Sequence, residues 1–289
     1  MDFKSRIQKG KSLSSLSTLG IGGKARLFIE IYTIDEMIEI HAFCKKQALN
    51  FWIVGKGSNS LFDDRGFNGL IILNKINFFD FDEGKLHVGA GYNFSLLGTK
   101  MAQKGWGGLE FAAGIPGSIG GAIYMNAGAN GTETAHTLKQ VGYIDGKGAF
   151  IEKNIEELKF SYRFSSFQEI PSIIVSGKFE LKPLDAARKN QLSLLNYRIS
   201  TQPYGEKSAG CIFRNQDTIS AGALIEKYGL KGKEVGGAKI SMKHGNFIVN
   251  TGKATAKDVQ RLIAIIQNTI KEKTGKQLHI EVCSVPYEV

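Results

Sequence analysis

Cysteine, histidine and proline are scarce in this chain of 289 residues, and it has no long apolar run. The three cysteines, Cys44, Cys211 and Cys283, stand far apart with no CxxC or CxxxH spacing, which argues against a disulfide framework and against a zinc site. The five histidines, His41, His87, His136, His244 and His279, are equally scattered, so no metal is expected. The longest low-charge stretch, residues 111–125, is too short to span a bilayer and is broken by glycines and a proline. The start, MDFKSRIQKGKSLSS, is basic but lacks the apolar segment of a secretory signal, so a cytoplasmic location is expected.

Glycine and positive charge are in excess. Glycine numbers 35, and 37 Lys plus Arg against 27 Asp plus Glu leave +10. Apolar residues at 42% and charged residues at 22% are ordinary for a globular protein, and the length suggests about two domains. The charge makes an anionic partner reasonable, nucleic acid included.

The first third alternates short apolar runs with one helical pattern, as an α/β or α+β domain does. Thr33 to Glu36 reads as a capping box, followed by Met37, Ile40, His41 and Cys44 at helical spacing. Strands are predicted at residues 51–54 and 70–73, separated by the glycine-rich Gly55-Lys56-Gly57-Ser58-Asn59-Ser60. Between 105 and 131, nine of 27 residues are glycine, so a regular helix is not expected there. A hairpin follows over 140–151, a strand over 173–181 and a helix over 185–198. The break at Gln202-Pro203-Tyr204-Gly205 sets a domain boundary near 200. Beyond it come a short helix over 220–228, a strand over 246–250, an amphipathic helix over 256–270 and a final strand over 277–285.

Glycine-rich loops permit close approach to a ligand and can turn backbone N–H groups toward phosphate oxygens. The loop at Gly55 lacks the third glycine of a dinucleotide fingerprint, and no helix pattern follows it. The loop from Gly114 through Ile115, Pro116, Gly117, Ser118, Gly120, Gly121 and Ala122 could wrap a pyrophosphate or simply pack tightly on a strand. Asn126 could bond a heterocycle or hold its own turn. Arg163 sits among aromatics, where a surface ion pair is the ordinary alternative. Cys211 could be reactive or a small buried hydrophobe, and Glu281 could be an acid or a solvent-facing strand position.

Seven blocks, in order, are STLGIGGKA from Ser17, VGKGSNSLF from Val54, GLEFAAGIPGSIGGAIYMNAGANG from Gly108, SYRFSSF from Ser161, QPYGEKSAGCIFRN from Gln202, AGALIEKYGLKGKEVGGAKISMKHGNFIVN from Ala221 and LHIEV from Leu278. Together they resemble the UDP-N-acetylenolpyruvoylglucosamine reductase (MurB) family nearly end to end, in its short type without the inserted tyrosine loop. The resemblance implies an α+β fold with a two-lobed FAD-binding domain of the PCMH, vanillyl-alcohol-oxidase-like kind over 1–200, its lobes meeting near 75. A substrate-binding domain over 201–275 and a closing strand over 276–289 would follow. It implies tightly but non-covalently bound FAD, NADPH as co-substrate and UDP-N-acetylglucosamine enolpyruvate as substrate, with no nucleic acid, membrane or obligate protein partner.

The resemblance also implies roles. Arg163 would pair with the substrate carboxylate, Glu281 would act as a neutral acid, and Cys211 would protonate C2 where serine is usual in the family. An ordinary thiol, with a pKa of about 8.5, is mostly protonated at neutral pH and a stronger acid than an alcohol. FAD contacts would come from Gly55, Lys56, Gly57, Ser58 and Asn59, from Ile115, Pro116, Gly117, Ser118, Gly120, Gly121 and Ala122, and from Asn126. Gln202 and Asn215 would lie near substrate. Ser17 and Gln216 depart from residues frequent in the family, asparagine and proline. Two rivals are an FAD-dependent oxidase or dehydrogenase of an alcohol or hydroxy acid, and a basic nucleic-acid-binding protein. Dispersal of the positive residues speaks against the second.

Overall fold

The computed structural model describes residues 3–216 and 220–288. Met1, Asp2, Asp217, Thr218, Ile219 and Val289, included in the ranges above, lie outside them. The chain forms two compact units. The first comprises Met1–Ile7, Ile29–Lys56 and Ile71–Tyr197, and the second Gln8–Phe28, Gly57–Leu70 and Arg198–Val289. Residues 8–28 and 57–70, within the range expected for the first domain, thus pack with the C-terminal part.

In the first unit, helix α1 (Ile34–Lys46) forms where the spacing predicts it, with Met37, Ile40, His41 and Cys44 buried. Its cap is half of the expected box. Thr33 accepts from the Glu36 N–H, while the Glu36 carboxylate takes the N–H of Tyr32 (2.9 Å). The unit's main sheet is antiparallel, in the order Phe150–Asn154, Leu138–Asp145, Ser172–Glu180, Lys85–Gly89, Phe79–Asp82. The hairpin turn at Asp145 is built as its composition suggests, its carboxylate accepting the N–H of Lys147 (2.8 Å) and of Ala149 (2.9 Å). Helix α2 (Phe94–Gln103) and helix α3 (Ile119–Tyr124) bury Phe94, Leu97, Met101, Ile119 and Ile123 in one core with sheet residues such as Val88, Val141 and Phe179.

Helix α3 corrects the expectation that residues 105–131 hold no regular helix. Each internal glycine costs about 1 kcal/mol of helix propensity relative to alanine. Tertiary packing outweighs that cost. Gly120 lies so near Ala90 that an added Cβ would be 3.1 Å from the alanine methyl, and its N–H donates to the Ala90 carbonyl (2.8 Å). Helix α4 (Ala187–Thr201) then ends where Gln202-Pro203 breaks the chain.

The second unit contains an antiparallel sheet in the order Ser208–Cys211, Phe247–Asn250, Ala238–Ile240, Glu234–Val235. Helix α5 (Ala221–Lys227) is capped by the Ser220 hydroxyl, which accepts the Ala223 N–H. Helix α6 (Ala256–Thr274) has a full capping box between Thr255 and Asp258 and stops at Gly275, φ +72°. Val259, Leu262, Ile263, Ile266 and Ile270 are buried in one core with Leu61, Phe213 and Ile248, each apolar side chain contributing about 2 kcal/mol of transfer free energy. The final strand is shorter than the alternation over 277–285 suggests. A ladder forms only at Cys283–Val285, parallel to Ser60–Phe62, because 277–281 instead exchange single bonds with 212–216: Arg214 N–H to His279 (2.9 Å), Glu281 N–H to Ile212 (2.8 Å), and the Gln216 amide to the Gln277 carbonyl (2.6 Å). That ladder and the burial of Leu61 hold residues 57–70 in this unit.

Candidate active site

The two glycine loops differ in what their backbones offer. In the second loop most donors are committed within the protein: Gly114 N–H to the Ser95 hydroxyl (2.7 Å), Ile115 to Ala112 (2.9 Å), Gly117 to Ile115 (2.8 Å), Ile119 to Tyr92 (3.0 Å), Gly120 to Ala90 (2.8 Å) and Ala122 to Ser118 (2.8 Å). Gly121 makes a long bond of 3.4 Å to the Ser118 hydroxyl. The expected cradle of backbone donors is therefore not the main feature of residues 114–122. Close approach is. A Cβ on Gly55 would fall 2.1 Å from Ser118 Oγ, whereas one on Gly121 would meet, beyond its own helix backbone, only that oxygen, at 3.5 Å, within 4 Å.

The first loop is the reverse case. Among the described residues, none accepts a hydrogen bond from the backbone N–H of Lys56, Gly57, Ser58 or Asn59. Gly57 is buried, at φ +59°, and its α-carbon faces the Leu16 carbonyl so closely that a Cβ would lie 1.9 Å from that oxygen. The loop is thus pinned by its carbonyls, Gly57 accepting from Thr18 N–H (3.3 Å) and Asn59 from Cys283 N–H (2.9 Å), while its donors stay available.

Arg163 lies in the first unit, at the second position of the two-residue turn between strands Phe160–Ser161 and Phe164–Ser165. Its φ is +57°, unusual for a residue with a side chain, and its guanidinium lies 4.9 Å from the Tyr162 ring centre. Asn126 is fully buried, also at positive φ, and donates to the Ser161 carbonyl (2.9 Å) and the Glu133 carboxylate (2.8 Å) while accepting the Ala135 N–H (3.1 Å). Both amide hydrogens are engaged, so the side chain holds this hairpin.

Cys211 and Glu281 lie in the second unit on neighbouring segments. The strand ending at Cys211 has a bulge opposite Phe247–Val249, with Gly210 at φ +75°. Past it, the Ile212 carbonyl accepts the Glu281 N–H (2.8 Å), and Phe213 bridges Ile280. One asparagine holds each segment from outside the pair. Asn246, buried, accepts the Phe213 N–H (2.9 Å) and donates to the Phe213 carbonyl (2.8 Å). Asn59 donates its side-chain amide to the Glu281 carbonyl (3.2 Å). Asn246 carries no signal in the sequence beyond its place in a quoted block. Asn215 accepts the Ala221 N–H (3.1 Å) at the start of α5, and the Gln202 side chain meets Arg198 (3.5 Å). A cavity of about 720 Å³ lies elsewhere, against Tyr32, Ile34, Ile38, Phe78 and Phe150, and none of the candidate residues lines it.

The profile described as FAD binding domain matches residues 25–154, and that of the UDP-N-acetylenolpyruvoylglucosamine reductase C-terminal domain matches 202–285. The UDP-N-acetylenolpyruvoylglucosamine reductase of Protochlamydia amoebophila is 52% identical over 100% of this chain and 97% of its own length. The chain belongs to the UDP-N-acetylenolpyruvoylglucosamine reductase family. The Chlamydia trachomatis reductase is 46% identical over 99% of both chains. The crystal structure of the Thermus caldophilus reductase superposes with a TM-score of 0.83 at 35% identity, covering 97% of this chain and 99% of that one.

Membership of this reductase family, with its FAD-binding domain, makes the chain a flavoprotein oxidoreductase. The residues present fit FAD. The first loop offers unengaged backbone donors suited to phosphate oxygens, and the second offers a side-chain-free surface at Gly121. Among the described residues, no helix is long and apolar enough to cross a membrane.

Proposed function

We propose that this chain reduces UDP-N-acetylglucosamine enolpyruvate to UDP-N-acetylmuramate with NADPH, a step of peptidoglycan precursor synthesis. When bound, FAD would supply the redox chemistry that links NADPH to C3 of the enolpyruvyl group. Lys56, Gly57, Ser58 and Asn59 would donate backbone N–H groups to it, while Gly55 and residues 115–122 would give a close-fitting wall. Residues 1–200 form the cofactor domain in this reading, 201–275 the substrate domain with Gln202 and Asn215, and 276–289 bring Glu281. The reading carries a cytoplasmic location, where nucleotide substrates are available.

Hydride addition at C3 leaves an electron pair on C2 that delocalises into the adjacent carboxylate. Arg163 opposes the growing negative charge with a permanent charge and forked donors. Glu281, protonated, donates a hydrogen bond to the same group. Cys211 transfers its thiol proton to C2, and the resulting thiolate is reprotonated from solvent. The observation that supports this pairing of acid and proton donor is the 2.8 Å bond from the Glu281 N–H to the carbonyl just past Cys211.

Anaerobic stopped-flow of the flavin band tests it. In Cys211→Ala, reduction by NADPH should proceed at the wild-type rate, and reoxidation by the enolpyruvyl sugar should slow by about a hundredfold or more. Cys211→Ser should retain much of the second rate. Unchanged turnover in Cys211→Ala removes the thiol from the mechanism.

A further inference from the structure

The turn that presents Arg163 has a backbone conformation its sequence does not favour. A two-residue turn whose second position alone is left-handed favours Gly or Asn there, and Arg163 is neither. A residue with a Cβ at φ +57° persists only when its surroundings impose that conformation. Gln168, in the short helical turn Ser166–Gln168 that follows the hairpin, supplies this constraint. Its Nε2 donates to the Tyr124 carbonyl (2.9 Å) and the Arg163 carbonyl (3.1 Å), with the Met125 sulfur a longer third acceptor (3.9 Å). Tyr124 is the last residue of α3, the helix entered through Ser118 and the second glycine loop, and its carbonyl also accepts the Ser165 hydroxyl (2.7 Å). Asn126 holds the opposite strand at Ser161. The peptide bearing Arg163 is therefore tied to the end of the helix that begins at the proposed cofactor wall.

We propose that Gln168 is a positioning residue for Arg163, fixing its left-handed turn against the end of α3 so that the guanidinium is held for the enolate-forming step. The inference rests on the catalytic reading of Arg163. The two nearest acceptors of Gln168 Nε2 are main-chain carbonyls, so it acts through the turn and not on substrate.

The test uses the FAD-loaded enzyme, with flavin reduction by NADPH and flavin reoxidation by the enolpyruvyl sugar followed separately. Gln168→Leu removes both donors at similar size. It should leave the reduction rate and flavin content unchanged, and slow reoxidation at saturating substrate on the order of tenfold, with a smaller effect on substrate KM. In an Arg163→Ala background the same change should cost nothing further. Gln168→Glu should be as defective at neutral pH and recover as acid restores one donor, which keeps the inference testable if the leucine variant folds poorly. Additive losses in the double variant, equal slowing of both half-reactions, or absence of acid recovery would overturn it. Wild-type reoxidation in Arg163→Ala alone would instead bring down the catalytic reading of Arg163, and the role assigned to Gln168 with it.

Discussion

Replacing Gly55 by alanine probes the wall between the two glycine loops with a single methyl group. The added Cβ would lie 2.1 Å from Ser118 Oγ and 3.1 Å from Ser118 Cβ. The first separation is more than 1 Å inside ordinary contact, which is about 3.4 Å or more for carbon against its neighbours. Ser118 must turn its hydroxyl away. Doing so removes the 3.4 Å cap on Gly121 N–H, worth about 0.5 to 1 kcal/mol, and leaves a hydroxyl that is only 3% exposed without that partner, costing about 1 to 2 kcal/mol more. The residual overpacking of the two methyl-sized groups adds about 1 kcal/mol. A loss of about 2 to 4 kcal/mol should lower the melting temperature of the flavin-free protein by about 5 to 15 °C. Ser118→Ala alone should cost about 1 kcal/mol, yet placed on Gly55→Ala it should recover part of the loss, because it deletes the clashing oxygen. Thermal unfolding of the four proteins reads this directly. A Gly55→Ala variant that melts within about 2 °C of wild type, or additive losses in the pair, would refute the close approach.

Stability should also fall toward mild acid. Burial, with the nearby cations Lys45, Lys178 and Lys231 as second cause, holds His41, His87 and His244 below the ordinary histidine pKa. The unfolded chain then binds more protons between those folded values and about 6.5, so stability is complete above 6.5 and declines as pH falls through that window. The urea midpoint should be higher at pH 7.5 than at 5.5, and His41→Phe should reduce the difference; a midpoint indifferent to pH would dismiss the histidines as its source. Alkylation should discriminate among the thiols. Burial pushes the Cys44 pKa up to about 11 and raises that of Cys283, and Cys44 is only 1% exposed, so iodoacetamide on the native protein should mark Cys211 first by peptide mass mapping, and early labelling of Cys44 would contradict this.

Elements whose cause is local were legible in the sequence. Thr33, the run from Met37 to Cys44, and the stripe from Val259 to Ile270 specify helices through caps and apolar spacing, and those helices stand where expected. Asp145 likewise carries its own turn. Elements whose cause is distant were not. The α3 helix contradicts the propensity of Gly120 and Gly121 because Ala90 and Tyr92 take its first donors. Residues 57–70 join the C-terminal unit because Ser60–Phe62 pairs with a strand more than two hundred residues later, a register no spacing announces. At the candidate site, the residues of the proposed chemistry could be named from the seven blocks, while the amides that hold their segments could not. Asn246 and Gln168 are amides with no special neighbours in sequence, and their importance appears only once the carbonyls they serve have been placed.

The glycine excess divides into two physical jobs that composition merges. Around Gly55 and Gly120 the missing Cβ lets one piece of protein reach another, and nearly every backbone donor of the second loop is engaged internally. From Lys56 to Asn59 the loop is instead held by its carbonyls and leaves its donors unengaged. A phosphate-bearing cofactor needs both: a wall that admits it closely and N–H groups not already committed. The two jobs predict different failures. Adding a methyl to the wall should cost folding energy before it costs cofactor affinity. A change that removes a donor between Lys56 and Asn59 should do the reverse, because no protein acceptor loses a bond.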